Sequence, residues 1–394
     1  MGGPERFCVF WLTGVVTLMA AVAAFDVVID PWLVFGAPRV IGLNAKKPET
    51  ETHTRLAKDH LLRRTRPWGV MTGDSKVDIG LDPSSPAWPD DARPAFNLGL
   101  PGARITETAA NLQRALAIGS VKRVLVLLEM RELMAVPTEI AAAVDGPAAE
   151  GATPGLLDKA SEFAQATMSL DALRASVQTI LAQRRSDLVD MTDHGSTGEG
   201  GFRGLVRTDG ADSLFVQKNT LSLPAARKLA ASLVMQPDAP LTGLDAVRAI
   251  VTLCRTNGAV LDLVIAPGHS DSLDSLNQAG LWPRYETVKR ALTTITAASG
   301  TTLWDFNGYD AYSTEPVPAP GDRRGEMQWF WDPAHFKKAL GEVMLATIYR
   351  GGTGYGVRLT PSTIEARLVA QRAAQAAYAA QDNGWRSRMA QAAN

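Results

Sequence analysis

The sequence predicts an α/β fold in which a parallel sheet is covered by helices on both faces. Three observations carry this. Arg123-Val-Leu-Val-Leu-Leu128 is apolar throughout after its first residue, and Val260-Leu-Asp-Leu-Val-Ile265 is nearly so, the pattern of strands buried on both sides. Helix-length segments alternate with such runs along most of the chain. Gly258, Gly300 and the pair Gly351-Gly352 fall where helices would stop.

The chain begins with an apolar stretch from Phe7 to Phe25. At 1.5 Å per residue, about 19 helical residues just cross a hydrocarbon core of roughly 30 Å. Ala21-Val22-Ala23 resembles a cleavage site, so a cleaved signal peptide competes with an uncleaved anchor. Trp11 and the length of the run favour a transmembrane signal anchor over residues 7–28. Residues 29–66 follow as a juxtamembrane connector, with Asp30-Pro31 and Ala37-Pro38 as breakers and a charged helical stretch from Thr50 to Arg66.

The main domain is expected over residues 67–350. Trp68–Met71 is its first strand and Phe96–Leu98 its second, followed by a helix over Arg104–Ser120 and the strand Arg123–Leu128. Thr242–Asn257 reads as a helix opened by a Thr242/Asp245 capping box and closed by Gly258. The strand Val260–Ile265, a helix over Pro283–Ala298 and the strand Thr301–Phe306 come next. A last helix is predicted over Pro333–Tyr349, with proline in its first turn. Residues 132–241 break the rhythm and read as a helical insertion that covers or flanks the site. Within it, Ser169–Arg185 is helical and His194–Gly204 is a Gly/Ser/Thr-rich loop. Residues 351–394 form an Ala-, Gln- and Arg-rich helical tail, exposed or frayed.

Composition excludes several classes of function. Hydrophobic content of 46% and charged content of 21% belong to a globular protein, and a net charge of −1 leaves no electrostatic footprint for nucleic acid. Cys8 and Cys254 give neither a disulfide framework nor a zinc spacing, and His53, His60, His194, His269 and His335 form no metal motif. No metal and no cofactor are expected.

The chemistry is expected at two distant points. Gly73-Asp74-Ser75 follows the first strand, so Ser75 belongs at the carboxyl edge of the sheet, where ligands of open parallel sheets gather. Asp332-Pro333-Ala334-His335 follows the fifth strand and offers an acid and an imidazole for the same edge. A serine needs a base to take its proton and an acid to orient that base. The expected roles are therefore attack by Ser75, proton transfer by His335 and orientation by Asp332. The plainer alternative is an Asp N-cap with an incidental first-turn histidine. The Ser75 N–H and a glycine N–H of Asn97-Leu-Gly99-Leu-Pro-Gly102 are candidates for stabilising an oxyanion. His269, just after the fourth strand, is a candidate for binding substrate, with a loop histidine as its alternative. Trp304, Trp329 and Trp331 are either a sugar-stacking wall or core packing.

With Gly73-Asp74-Ser75, the glycine-containing Phe96–Gly102 block and the late Asp332-x-x-His335, residues 68–350 resemble the SGNH/GDSL hydrolase family. Ile265–His269, Leu303–Tyr309 and Met327–His335 are similar to a bacterial, membrane-anchored branch of it. The resemblance implies a three-layer α/β/α flavodoxin-like fold and activity on ester-linked acyl groups, acetyl groups of envelope or secreted glycans among them. One departure stands out. The family's third block carries an Asn that completes the oxyanion hole, whereas here the strand ends Leu128-Glu129-Met130-Arg131-Glu132. Arg131 is the candidate replacement, with a charged lid contact as its alternative.

The reading is thus a serine esterase or O-acyltransferase anchored in the inner membrane with its catalytic domain in the periplasm. Its expected partners are a glycan or acylated small molecule and a membrane acyl-donor protein. The alternative is a catalytically impaired carbohydrate-binding or assembly component of a polysaccharide export or modification system.

Overall fold

A computed structural model of the chain describes residues 3–135, 156–185, 188, 190–381, 384 and 388. The fold is mixed α/β, built on a six-stranded, mostly parallel sheet. In chain order the strands are β1 (Gly69–Gly73), β2 (Ala95–Gly99), β3 (Arg123–Leu128), β4 (Val260–Ile265), β5 (Thr302–Asp305) and β6 (Val357–Arg358). Their order in space is β2-β1-β3-β4-β5-β6. The first five are parallel, with Val70 opposite both Phe96 and Val124, Val124 opposite Leu261, and Leu263 opposite Leu303. β6 was not anticipated; it pairs antiparallel with β5.

Side chains alternate between the two faces of each strand, and the core divides accordingly. Val70, Val124, Val126, Leu128, Leu261 and Leu263 belong to one buried cluster. It is closed by the helices α2 (Thr54–Thr65), α4 (Ile105–Ala117), α10 (Gly243–Thr256) and α12 (Trp282–Ser299). Met71, Leu125, Leu127 and Val264 face the other way, against α3 (Ser75–Gly80), α9 (Ala211–Met235) and α13 (Lys338–Arg350). Burial on both faces explains why β3, and β4 apart from Asp262, are continuous apolar runs rather than alternating ones.

Several elements depart from the expectation. Residues 29–66 do more than connect: Leu61 and Leu62 of α2 are core residues, and fully buried Lys58 reaches Asp78 Oδ1 at 2.6 Å. The Thr242/Asp245 capping box does not form. Thr242 already has helical dihedrals, and Asp245 pairs with Arg248 at 2.6 Å instead. The helix expected from Pro333 begins five residues later, because residues 329–337 bond among themselves. Trp331 N–H donates to His335 O and Lys337 N–H to Trp329 O, each at 2.8 Å.

The insertion is largely helical. It contains α5 (Met130–Met134), α6 (Leu156–Met168), α7 (Leu170–Ala182), α8 (Gly200–Asp209) and α9; residues 136–155 of it lie outside the described residues. The expected loop over His194–Gly204 is pinned by a Met191–Thr197 bridge and passes into α8. A short helix, α11 (Ser270–Gln278), stands unannounced between β4 and α12. The tail is not frayed where it is described. Leu368 and Gln371 of α14 (Ile364–Ala379) are buried, and Arg388 forms a two-bond pair with buried Asp271 at 2.9 and 2.7 Å.

At the amino end, α1 (Gly3–Ile29) is 27 residues long, and its most apolar 18-residue stretch has a mean hydropathy of 2.2, long and apolar enough to cross a membrane. Its outer residues Phe7, Phe10 and Trp11 are exposed.

Candidate active site

β1 ends at Gly73, whose φ of +152° and surroundings both demand glycine. A Cβ there would lie 2.8 Å from Val77 Cγ2 and 3.0 Å from Leu127 O. Asp74 then caps α3, its Oδ1 accepting the Lys76 N–H at 2.9 Å. Ser75 occupies the first helical position. Its N–H has no partner within the helix, and its hydroxyl stands at the carboxyl edge of the sheet.

The second half comes from the loop between β5 and α13. Asp332 Oδ1 accepts the N–H groups of Ala334 and His335 at 2.7 and 2.8 Å, which tightens the turn and aims its other oxygen. Oδ2 lies 2.7 Å from His335 Nδ1, and His335 Nε2 lies 2.9 Å from Ser75 Oγ. A carboxylate only accepts, so Nδ1 carries the proton and Nε2 of the neutral ring is the acceptor facing Ser75. Burial alone would raise the Asp332 carboxyl. The His335 ring, Lys218 and the Ala334 N–H outweigh it and hold the group below the ordinary carboxylate range. The arrangement can therefore take the Ser75 proton as the oxygen attacks, while an ionised Asp332 steadies the imidazolium.

The loop is held from two sides. His269 N–H donates to Pro333 O at 3.0 Å. Phe202 of α8 stacks on Trp331, and its ring centroid lies 5.3 Å from that of His335. Trp331 is 4% exposed, and none of Trp304, Trp329 and Trp331 lines the cavity at Ser75.

That cavity has a volume of about 210 Å³ and runs along the ends of β1, β3, β4 and β5, under α9 and α11. Its lining includes Ser75, Arg131, Lys218, Asn307 and His335. Lys76 at its edge pairs with Asp74 at 2.8 Å and with Glu129. Burial works against the Lys76 charge, but the two carboxylates more than compensate and raise it. Glu132, whose Oε1 accepts the Ile105 N–H at 2.6 Å, is pushed up to about 7 by burial, reinforced by Glu129 and Asp74.

Of the residues expected at the site, Ser75, Asp332 and His335 come together, and Arg131 faces the same cavity. Three do not join them. Gly99 donates its N–H to Asn97 Oδ1 at 3.0 Å, and a Cβ on it would run into the backbone N of Asp78; it is a packing glycine beneath α3. Gly102 sits in an exposed turn with φ +69°, outside the cavity lining. His269 is 1% exposed, set edge-on between Phe215 and Phe330. Its Nε2 donates to Glu315 O at 2.8 Å and its Nδ1 accepts the Asp271 N–H at 3.2 Å, so both ring nitrogens are occupied. It positions the loop rather than touching the cavity.

Lys218 and Asn307 were missed. Lys218 lies in the insertion, where no motif marks it. Asn307 had a readable signal: it is a polar residue two positions past the end of β5, as Ser75 is two past the end of β1. In comparisons with protein-family models, curated proteins and solved structures, nothing matches this chain.

Proposed function

We propose that the chain is a membrane-anchored serine ester hydrolase or O-acyltransferase of the SGNH type, acting on acyl groups, acetyl foremost, of envelope or secreted glycans. One observation carries the reading: an Asp332–His335–Ser75 hydrogen-bond chain whose serine and histidine are 260 residues apart in sequence. Burying an aligned acid, imidazole and hydroxyl at a sheet edge has a clear chemical use in acyl transfer. The 2-1-3-4-5 order of the parallel strands, that of flavodoxin-like sheets, supports the fold side of the reading. A small cavity with polar walls suits a short acyl group better than a long chain. The apolar length of α1 supports an anchor, and a single anchor on a whole catalytic domain fits an inner-membrane protein facing the periplasm.

A second reading, a binding or assembly component with impaired catalysis, draws on a different observation. β3 ends without an amide side chain, and neither Gly99 nor Gly102 lines the cavity. Loss of one oxyanion donor typically costs about 10²–10³ in rate.

Labelling the full-length protein in detergent with a fluorophosphonate separates the two. Labelling of the wild type that disappears in both Ser75→Ala and His335→Ala is the expected result. A folded wild type that takes no label overturns the hydrolase reading and favours the binding component.

A further inference from the structure

The cavity at Ser75 is longer than an acetyl group needs. It reaches from the end of β1 to the end of β5, three strand spacings in the sheet order, or about 14 Å. Ser75 stands at one end and Asn307 at the other. The middle and far parts are available to whatever bears the acyl group.

Three cations line this space: Lys76, Arg131 and Lys218. They are not equivalent. Lys76 is neutralised by Asp74 and Glu129. Arg131 stands just past β3, and its guanidinium has no hydrogen bond or ion pair among the described residues; its backbone N–H alone is engaged, by Glu129 at 3.1 Å. Lys218 stands on α9, from the insertion, and its ammonium is likewise without a hydrogen-bonded partner among the described residues. The nearby carboxylates are hydrogen-bonded elsewhere, Glu129 to Lys76 and the Arg131 N–H and Asp332 to His335 and Ala334, although through space Arg131 also steadies the Glu129 charge and Lys218 that of Asp332. Two cations from different elements thus converge on one cavity with no hydrogen-bonded anion between them.

Asn307 adds an independent observation. It is 9% exposed, and its Oδ1 is buried without a hydrogen-bond partner. Its backbone is satisfied, the N–H by Asp305 at 3.1 Å and the carbonyl by Arg367 at 3.1 Å, so only the side-chain amide is uncommitted. A buried amide oxygen left unpaired is destabilising, and a bound hydroxyl would relieve that.

We infer that this part of the cavity is a recognition subsite for an anionic, hydroxyl-bearing unit, a sugar carrying a carboxylate or a phosphate. Arg131 and Lys218 grip the anion, and Asn307 pairs with a hydroxyl. The assignment rests on the esterase reading for the placement of the acyl group at Ser75, and it names the chemistry of the acceptor.

The test uses full-length Ser75→Ala protein in detergent and calorimetric titration with three probes: an O-acetylated methyl glucoside, the corresponding glucuronoside and the corresponding 6-phosphate. The anionic probes should bind about tenfold tighter than the neutral one at low salt. That advantage should vanish in an Arg131→Gln/Lys218→Gln variant, while Asn307→Ala should weaken all three alike. Whichever anion binds tighter identifies the group. Equal affinity for neutral and anionic probes, a preference that survives the double substitution, or no binding of any probe overturns the subsite. Fluorophosphonate labelling of the wild type is read in parallel. Labelling without an anion preference removes the subsite alone, whereas a preference without labelling removes the esterase reading and leaves the anion site standing.

Discussion

His269 N–H and Pro333 O meet at 3.0 Å, so the loop after β4 holds the loop that presents His335. The contact is made by backbone, while the His269 ring is spent on Glu315 O and on the edges of Phe215 and Phe330. His269→Ala should therefore act on stability. Loss of two hydrogen bonds, to Glu315 O and from the Asp271 N–H, and of the packing of a ring predicts a destabilisation of about 2–4 kcal/mol in denaturant melts. Per folded molecule, the rate of fluorophosphonate labelling should change less than threefold. A large fall in labelling with unchanged stability would return His269 to the substrate.

Asp332→Asn tests the orienting role separately from proton transfer. An amide in place of Oδ2 can donate to Nδ1, which selects the wrong tautomer and turns a proton on Nε2 toward Ser75. By analogy with serine hydrolases generally, the expected loss in kcat is about 10⁴. The turn itself should survive, since the Asn side-chain oxygen still accepts from Ala334 and His335. Near-ultraviolet circular dichroism should accordingly be unchanged.

Lys58 joins α2 to the base of α3, bonding Asp78 Oδ1 at 2.6 Å with no exposure of its own. Lys58→Ala leaves a buried carboxylate without its cation, and Asp78 keeps only the Thr197 hydroxyl, at 2.5 Å, on that oxygen. The expected loss is about 3–5 kcal/mol. Lys58→Met combined with Asp78→Asn should recover much of it, because no buried charge then remains. A double variant as unstable as the single one would argue against this account.

Glu132 gives the pH dependence. Burial raises its folded pKa to about 7, above an unfolded value near 4.5, so the folded state holds the proton more tightly. Between those values the native state binds more protons than the unfolded one. Stability therefore falls as pH rises through that window. Glu132→Gln keeps an oxygen for the Ile105 N–H and removes the charge. Relative to wild type, the variant should gain stability between pH 5 and pH 8, by about 1–3 kcal/mol. A difference that does not grow with pH would show that Glu132 ionises freely.

The tail offers a further prediction. Arg367 Nε lies 2.9 Å from Asp305 Oδ2, and Gln371 Oε1 accepts from Lys289 Nζ at 3.0 Å, around a Lys289–Asp305 pair with no exposure. Truncation after residue 360 should therefore destabilise the whole domain. Its melting transition should fall by at least about 10 °C, whereas an exposed tail would be removed without effect.

What could be read from the sequence and what could not divides along physical lines. β3 and β4 were legible to the residue because strands buried on both faces are largely apolar, Asp262 of β4 being held by Arg123 and Tyr349. Gly258 and Gly300 were legible as helix ends because both take positive φ. Ser75 was legible because Gly-Asp-Ser follows an apolar run, and Asp332 and His335 because they stand three residues apart near the end of the domain, after the last predicted strand. The start of α13 was not: Asp332 bonds the Ala334 and His335 N–H groups as an N-cap would, but Trp331 N–H donates to His335 O and Lys337 N–H to Trp329 O, which keeps the segment out of a helix. The tail looked exposed because α14 docks partly through Arg367 and Gln371, polar residues whose partner, Asp305, is some 60 positions away. Lys218 gave no sign because its place in the cavity depends on how α9 crosses the sheet, which no local pattern records.

The distance along the chain between Ser75 and His335 also has a temporal meaning. Ribosomal synthesis delivers α1 first and the serine soon after, yet the imidazole that would activate it belongs to the last part of the sheet domain. A chain halted at any point before residue 335 carries the hydroxyl without its base. On the proposed esterase reading, a half-made chain has no base to activate its serine, and reactivity would switch on only when synthesis is nearly complete.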